Sequence, residues 1–166
     1  PEEIGKLLAA IETMRGKVVG MPAKIWWKAL IHALLDTGER IGAMTEVARS
    51  FLQDNYLLFP AEVRKGRKRE KMYKLSDTTL DLLAEMTKYN SYLSAELLFP
   101  WDRCKTYKYN VYSEILKRAK LDTSSRSKFH RLRRTVASAV ANQGGDPTAA
   151  LDHASPKTTK AYLDPQ

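Results

Sequence analysis

Apolar positions lay out helices along most of this chain. Trp26, Trp27, Leu30, Ile31, Leu34 and Leu35 recur at the spacing of one helical face. Lys28, His32 and Asp36 fall four residues apart on the opposite, polar stripe. Gly38 then ends or bends that helix. The opening segment "PEEIGKLLAAIETMRG" is amphipathic and acidic at its start. Leu80, Leu83, Ala84 and Thr87 share one face of a later helix that Ser76 or Asp77 caps. Tyr109, Tyr112, Ile115, Leu116 and Ala119 mark another, after an irregular link at "LLFPWD". From about Ser127 a helix runs to Asn142, with Phe129, Leu132, Val136 and Val140 as its apolar stripe and Gly144-Gly145 as its stop. Asp146-Pro147 is an N-cap followed by proline at the first helical position. Ser155-Pro156 repeats that signal and starts the last helix, "PKTTKAYL".

The period changes in the middle of the chain. Asp54-Asn55 is a turn signal, "YLLF" reads as a short strand, and "KMYKL" alternates like a second one. Between the strands lies "RKGRKREK", a basic loop with a glycine at its bend. The expected fold is therefore mainly α with a small antiparallel β-sheet (α+β), the sheet carrying an exposed basic tip. A chain of 166 residues suits a single domain with one ordinary core.

Composition narrows the setting. Hydrophobic residues make up 43% and charged residues 28%, which is globular and not disordered usage. No apolar run approaches the roughly 20 residues that span a bilayer, and the N-terminus does not resemble a signal peptide. No membrane partner is expected, and the location expected is cytoplasmic. Cys104 stands alone, so neither an internal disulfide nor a cysteine zinc site can form, which fits a reducing compartment. Lys and Arg total 28 against 19 acids, a net charge of +9 that favours a polyanionic partner. A basic protein with no nucleic-acid role would carry the same charge.

Four groups of residues bring candidate chemistry. His130 and Arg133 share a helix face at the border of the apolar stripe, where an arginine can offer a phosphate its fork of donors. Basic residues that merely flank a core helix would look alike. Arg40 follows a glycine at a helix end, a suitable place for an exposed side chain. The basic loop could shield a sheet edge, or it could meet a nucleic-acid backbone with one lysine placed for proton transfer. Tyr162 lies nine residues after His153 and about two turns into the last helix. An unperturbed tyrosine titrates near pH 10 and needs nearby cations or a base to act as a nucleophile, so packing is its ordinary use. The three histidines are scattered and no nuclease-type carboxylate cluster stands out, so no metal is expected.

In order along the chain these groups resemble the tyrosine recombinase (phage integrase) family. "TGERIG" resembles its first-arginine motif, "FPAEVRKG" the strand leading to its hairpin lysine, and "HRLRRT" its His-x-x-Arg box. "LDHASPKTTKAYLDP" resembles its terminal His-to-Tyr motif, including the nine-residue interval. The resemblance covers Trp27 to the C-terminus. It implies the tyrosine recombinase catalytic-domain fold and a site-specific DNA recombinase that cleaves and rejoins strands through a 3′-phosphotyrosyl intermediate, without metal or other cofactor. Tyr162 would attack the scissile phosphate. Arg40 and Arg133 would clamp its non-bridging oxygens and His153 would donate to the same phosphate. Lys65, or Lys68 on the same loop, would protonate the departing 5′-oxygen. His130 would assist proton movement or brace the site. Arg64, Arg67, Lys68 and Arg69 in the loop, with Lys157 and Lys160 in the last helix, would meet the DNA backbone.

The family's separate N-terminal DNA-clamping domain is not expected within residues 1–166, which read as one catalytic domain. The implied partners are double-stranded DNA and further copies of the chain. A tetramer would form on DNA and a monomer in isolation, on the nucleoid of a prokaryote or a phage or other mobile element. Three positions depart from the family pattern. Ala43 stands where an acid is usual, with Glu39 or Glu46 able to compensate. Asp152 stands for a glycine and Arg131 for an acid. Two other readings fit the same residues, a catalytically inert DNA-binding module of the same fold and a type IB topoisomerase-like enzyme.

Overall fold

The computed structural model describes residues 2–66, 69–124 and 128–151. The expected last helix, "PKTTKAYL", lies outside the described residues. In chain order the elements are α1 (Glu2–Glu12), β1 (Lys17–Val18), β2 (Met21–Pro22), α2 (Ala23–Thr37), α3 (Ile41–Glu46), β3 (Leu52–Gln53), β4 (Tyr56–Phe59), β5 (Lys71–Lys74), α4 (Asp77–Met86), α5 (Asn90–Leu93), α6 (Lys105–Arg118), α7 (His130–Asn142) and α8 (Pro147–Ala150). Short 3₁₀ turns at Arg49–Phe51 and Ala61–Val63 flank the sheet. The mainly helical α+β fold is as expected. No helix among the described residues is long and apolar enough to cross a membrane.

Helix α2 is the axle of the molecule. It packs against α1, α3, α4, α7 and β5, so it is buried beyond the single face its periodicity shows. Ile25, Ala29 and Ala33 are buried along with Trp26, Trp27, Leu30, Ile31 and Leu34. The polar stripe is engaged too. Lys28 pairs with Glu12 at the end of α1. The Asp36 Oδ2 atom accepts from the Ser76 N–H and hydroxyl, both at 2.9 Å, and from the Thr79 hydroxyl at 2.6 Å. Ser76, one of the two expected caps, in turn accepts from the Thr79 N–H. One carboxylate thus fastens the N-terminus of α4 to the side of α2. The buried face of α4 is Thr79, Leu83 and Met86, whereas Ala84 and Thr87 are exposed. The tie at Asp36 rotates the helix away from the face that hydrophobicity alone suggests.

An aromatic cluster fills the other side of α2. The Trp27 ring is parallel to Tyr112 of α6 and to Phe129, with interplanar angles of 6° and 7°, and Tyr112 and Phe129 stack at 4.0 Å. Phe129 immediately precedes α7, so this stack sets where that helix begins. Trp26 meets Phe99 and Trp101 and donates its indole N–H to the Pro100 carbonyl at 2.9 Å. The irregular link seen in sequence is thereby packed down on the core.

The sheet is antiparallel in the order β3-β4-β5. The two expected strands pair with Tyr56 opposite Lys74 and Phe59 opposite Lys71. The Asp54-Asn55 turn, with Asp54 at φ +52°, adds β3 as a third strand. Along β5 the inward positions are Lys71 and Tyr73, and Met72 and Lys74 point outward.

Asp36→Ala removes three hydrogen bonds to an ionised group and the brace of the α4 cap. It is expected to cost about 2 kcal/mol, read from urea unfolding. A loss below about 0.5 kcal/mol, typical of an ordinary surface change, would contradict this account of α4.

Candidate active site

Helix α2 stops where Gly38 adopts φ +63° and donates its N–H to the Leu34 carbonyl at 2.8 Å. Only glycine takes that conformation without strain. A Cβ on Gly38 would also lie 2.9 Å from Leu151 Cδ2 and 3.1 Å from Val136 Cγ1. The chain continues through Glu39 to Arg40, which occupies the N-cap position of α3 with extended backbone. Its carbonyl accepts from the Met44 N–H at 3.0 Å, fixing the root of the Arg40 side chain.

Arg133, expected at the border of core and surface, is instead inside, at 3% exposure. Val136 and Val140 are only half-buried, and Leu132, Arg133 and Ala137 form the inner face of α7. A guanidinium in such a place needs oxygen partners. Nη1 donates to the Gly38 carbonyl and Nη2 to the Leu151 carbonyl at 3.1 Å. One side chain therefore joins α7 to the turn before Arg40 and to the end of α8. Lys71 of β5 adds a second hold on α8, with Nζ donating to the carbonyls of Ala149 at 3.2 Å and Ala150 at 2.7 Å.

The basic loop is anchored by Arg64. Expected to face DNA, this arginine is turned inward at 8% exposure. Nε and Nη2 both donate to Glu39 Oε1, at 2.9 and 2.8 Å, and Nη1 donates to the Arg69 carbonyl at 3.0 Å. Glu39 is 3% exposed. Its Oε1 also accepts from the Tyr73 hydroxyl at 2.9 Å, and its Oε2 from the Arg40 N–H at 3.2 Å. Burial, and then the charge and hydrogen bond of Glu39, push the Tyr73 hydroxyl pKa far up, so Tyr73 remains a donor. Of the two acids expected to compensate for Ala43, Glu39 sits in this interior network and Glu46 is exposed. Arg131 turns away to Glu3 of α1 at 2.7 Å and the Asp122 carbonyl at 3.2 Å.

Arg40, Lys65, His130 and Arg133 line one cleft of about 610 Å³, with Arg64, Glu46, Lys105 and Tyr109 also on its walls. A larger groove of about 930 Å³, between the Thr13–Val18 segment, Trp101–Arg103 and α6, includes none of those four residues. The His130 imidazole is held below its ordinary pKa by burial first, then by the charges of Arg133, Arg40, Arg134 and Lys65. Arg40, Lys65 and Arg133 share the cleft walls with that ring. Such a cleft suits an anion whose charge is spread over several oxygens. Of the other expected residues, Arg69 is exposed beside the loop. Arg67, Lys68, His153, Lys157, Lys160 and Tyr162 lie outside the described residues, as does Asp152. Tyr73 and Lys71 were missed as site residues, and Glu39 was named only as a substitute acid for Ala43. The alternation of β5, which sets Lys71 and Tyr73 on one face, is the signal that points to two of them.

The profile of the phage integrase family matches residues 1–166. Among solved structures, XerA recombinase matches at 20% identity and a TM-score of 0.72, over 99% of this chain and 57% of that one. XerH site-specific recombinase, in a pre-cleavage complex with its difH substrate, matches at 23% identity and 0.72, over 97% and 48%. The catalytic domain of bacteriophage HP1 integrase matches at 21% identity and 0.68, over 96% and 82%. At these identities the likeness is one of fold, and the chain spans about half the length of the first two. No functionally curated protein matches the chain.

Two outcomes are expected. Arg64→Ala leaves the Glu39 carboxylate buried and unpaired and should cost about 3–5 kcal/mol in urea unfolding; a loss under about 1 kcal/mol would show the pair to be dispensable. The His130 pKa, followed by NMR, should lie below its ordinary value and rise in Arg134→Gln. Because the unfolded chain then binds the proton more readily, His130 lowers stability as the pH falls below about 6.5. A His130 pKa above that value, or unmoved by Arg134→Gln, would contradict the clustering of cations.

Proposed function

The chain belongs to the phage integrase family, and on that premise we propose that residues 1–166 act as the catalytic domain of a site-specific DNA recombinase. The observation that carries this reading is the convergence of Arg40, Lys65, His130 and Arg133 on one cationic cleft. Three segments distant in sequence supply them, and each is one of the motifs that resembles the family.

The chemistry proposed is transfer of a DNA phosphoryl group to the chain and back. The Tyr162 oxygen attacks phosphorus, forming a bond to the 3′-phosphate as the bond to the 5′-oxygen breaks. The phenolic proton leaves through His130 or solvent, and Lys65 delivers a proton to the departing 5′-oxygen. Rejoining runs the same steps in reverse, so the covalent link conserves the phosphoester bond. Arg40 and Arg133 set donors where charge gathers on the non-bridging oxygens, and His153 adds a third. Such preorganised donors are the larger part of catalysis in transfers of this kind. The arrangement of Arg133 supports this assignment. Its hold on the Gly38 and Leu151 carbonyls brings the segments that carry Arg40 and lead to His153 to the same guanidinium.

The partners proposed are double-stranded DNA and further copies of the chain, in a tetramer on the recombining sites. Three DNA-bound relatives bear on this. XerH was solved with its difH substrate, lambda integrase as a dimer on a core site, and the Tn1549 transposon integrase with circular intermediate DNA. The cellular setting proposed is a prokaryotic nucleoid or a mobile element acting on one.

A pool of nicked duplexes randomised around the nick tests the reading, because release of the short 5′-strand traps any covalent adduct. The wild-type chain is expected to form a detergent-resistant protein–DNA adduct that disappears in Tyr162→Phe and forms about 10²–10³-fold more slowly in Arg40→Ala. An adduct that survives Tyr162→Phe, or no adduct from any member of the pool, would overturn it.

A further inference from the structure

We propose that Arg64, anchored by Glu39, is a positioning residue that sets Lys65 in register with Arg40. The inference rests on the recombinase reading for its chemistry and on the geometry of the pair for its mechanics.

Each member of the pair stands one residue before a cleft residue. Glu39 precedes Arg40, and Arg64 precedes Lys65. Arg40 and Arg64 both have extended backbone, at φ −75°, ψ 145° and φ −93°, ψ 139°. In extended chain successive side chains point to opposite sides. When Glu39 and Arg64 face inward to bond one another, their successors are turned out to the cleft. Burial follows that alternation, since Glu39 and Arg64 are buried, Arg40 is half-buried and Lys65 is exposed.

Both carboxylate oxygens of Glu39 are committed. Oε1 takes two donors from Arg64 and one from Tyr73, and Oε2 takes the N–H of Arg40 itself. The pair is therefore fastened to the backbone that roots Arg40. Arg64 reaches in the other direction as well. Its Nη1 bonds the Arg69 carbonyl and so draws together the two ends of the loop that carries Lys65. Arg40 is held besides by the first turn of α3, so loss of the pair would release the Lys65 loop and leave Arg40 largely in place. The two partners are 25 residues apart, and among the described contacts they form the direct side-chain bridge between the two motif segments.

A buried ion pair can also be no more than a way of satisfying two charges. The double substitution Glu39→Met/Arg64→Met separates the two roles, because apolar residues of similar volume replace buried pairs with little loss of stability. The full chain is used, with folding checked by circular dichroism and urea unfolding. Hydrogen exchange of residues 60–66 reads the hold on the loop without any DNA. Adduct formation is then timed on nicked duplexes from the pool above, with either the ordinary 5′-oxygen or a 5′-bridging sulfur at the scissile phosphate. A thiolate leaves without a proton, so the sulfur substrate does not need Lys65.

The folded double variant is expected to exchange faster at residues 60–66 and to cleave the oxygen substrate about 10²-fold more slowly. The sulfur substrate should be cleaved close to the wild-type rate. Exchange equal to wild type overturns the proposal, and so does an equal slowing on both substrates. If wild type forms no adduct on either substrate, the recombinase reading fails by itself, and exchange alone decides whether the pair holds the loop. Should the double variant not fold, Tyr73→Phe removes one donor to Glu39 Oε1 and is held to the same two readouts.

Discussion

A positive charge inside a helical core must be surrounded by oxygen, and in this molecule that requirement falls on Arg133. The oxygens come from backbone, at Gly38 and Leu151. A helix frees its backbone carbonyls at its C-terminal end, and those two residues are such ends, of α2 and α8. The need to solvate one guanidinium thus brings two helix ends to the side of α7. It also explains the glycine at position 38, which must turn left-handed to expose its carbonyl and must lack a side chain to let Leu151 and Val136 approach.

Arg64 answers the same requirement by a different route. Its partner is a carboxylate, Glu39, and its last nitrogen takes a carbonyl across the base of its own loop. A chain with a net charge of +9 therefore places two arginines inside and uses them as rivets between segments. Both reach the wall of the cleft from inside, beside Arg40 and Lys65. Mutual repulsion is offset by Glu39 and by carbonyl dipoles that lie beneath the cleft.

Much of this was legible in the sequence. The two expected strands, the cap at Ser76 and the proline-led start of α8 are local features, each written in residues within a turn of one another. In the structure the Asp146 side chain accepts from the Thr148 N–H at 2.8 Å, as such a cap does. Arg40, Lys65, His130 and Arg133 stand in the motifs read from sequence, and the fold brings these four to one cleft. What the sequence hid is long-range. Nothing near Glu39 announces a partner 25 positions later, and the net charge made every arginine of the loop look alike. The inward turn of Arg64 and the burial of Arg133 follow from contacts between elements. So does the rotation of α4, where Asp36 outweighs the apolar pattern. Of the terminal motif, which carried much of the resemblance, Leu151 is among the described residues, and its carbonyl is held by Arg133.

Strand β5 touches both ends of this arrangement. At its start it continues the basic loop, and from Lys71 it grips the last carbonyls of α8 while Tyr73 leans on Glu39. It behaves as a lever with two bearing points. The loop and the C-terminal end of α8, where the chain passes on toward His153 and Tyr162, are thus tied through one strand. A polyanion held by the loop would therefore also bear on the segment that follows α8, where the proposed nucleophile stands in the sequence.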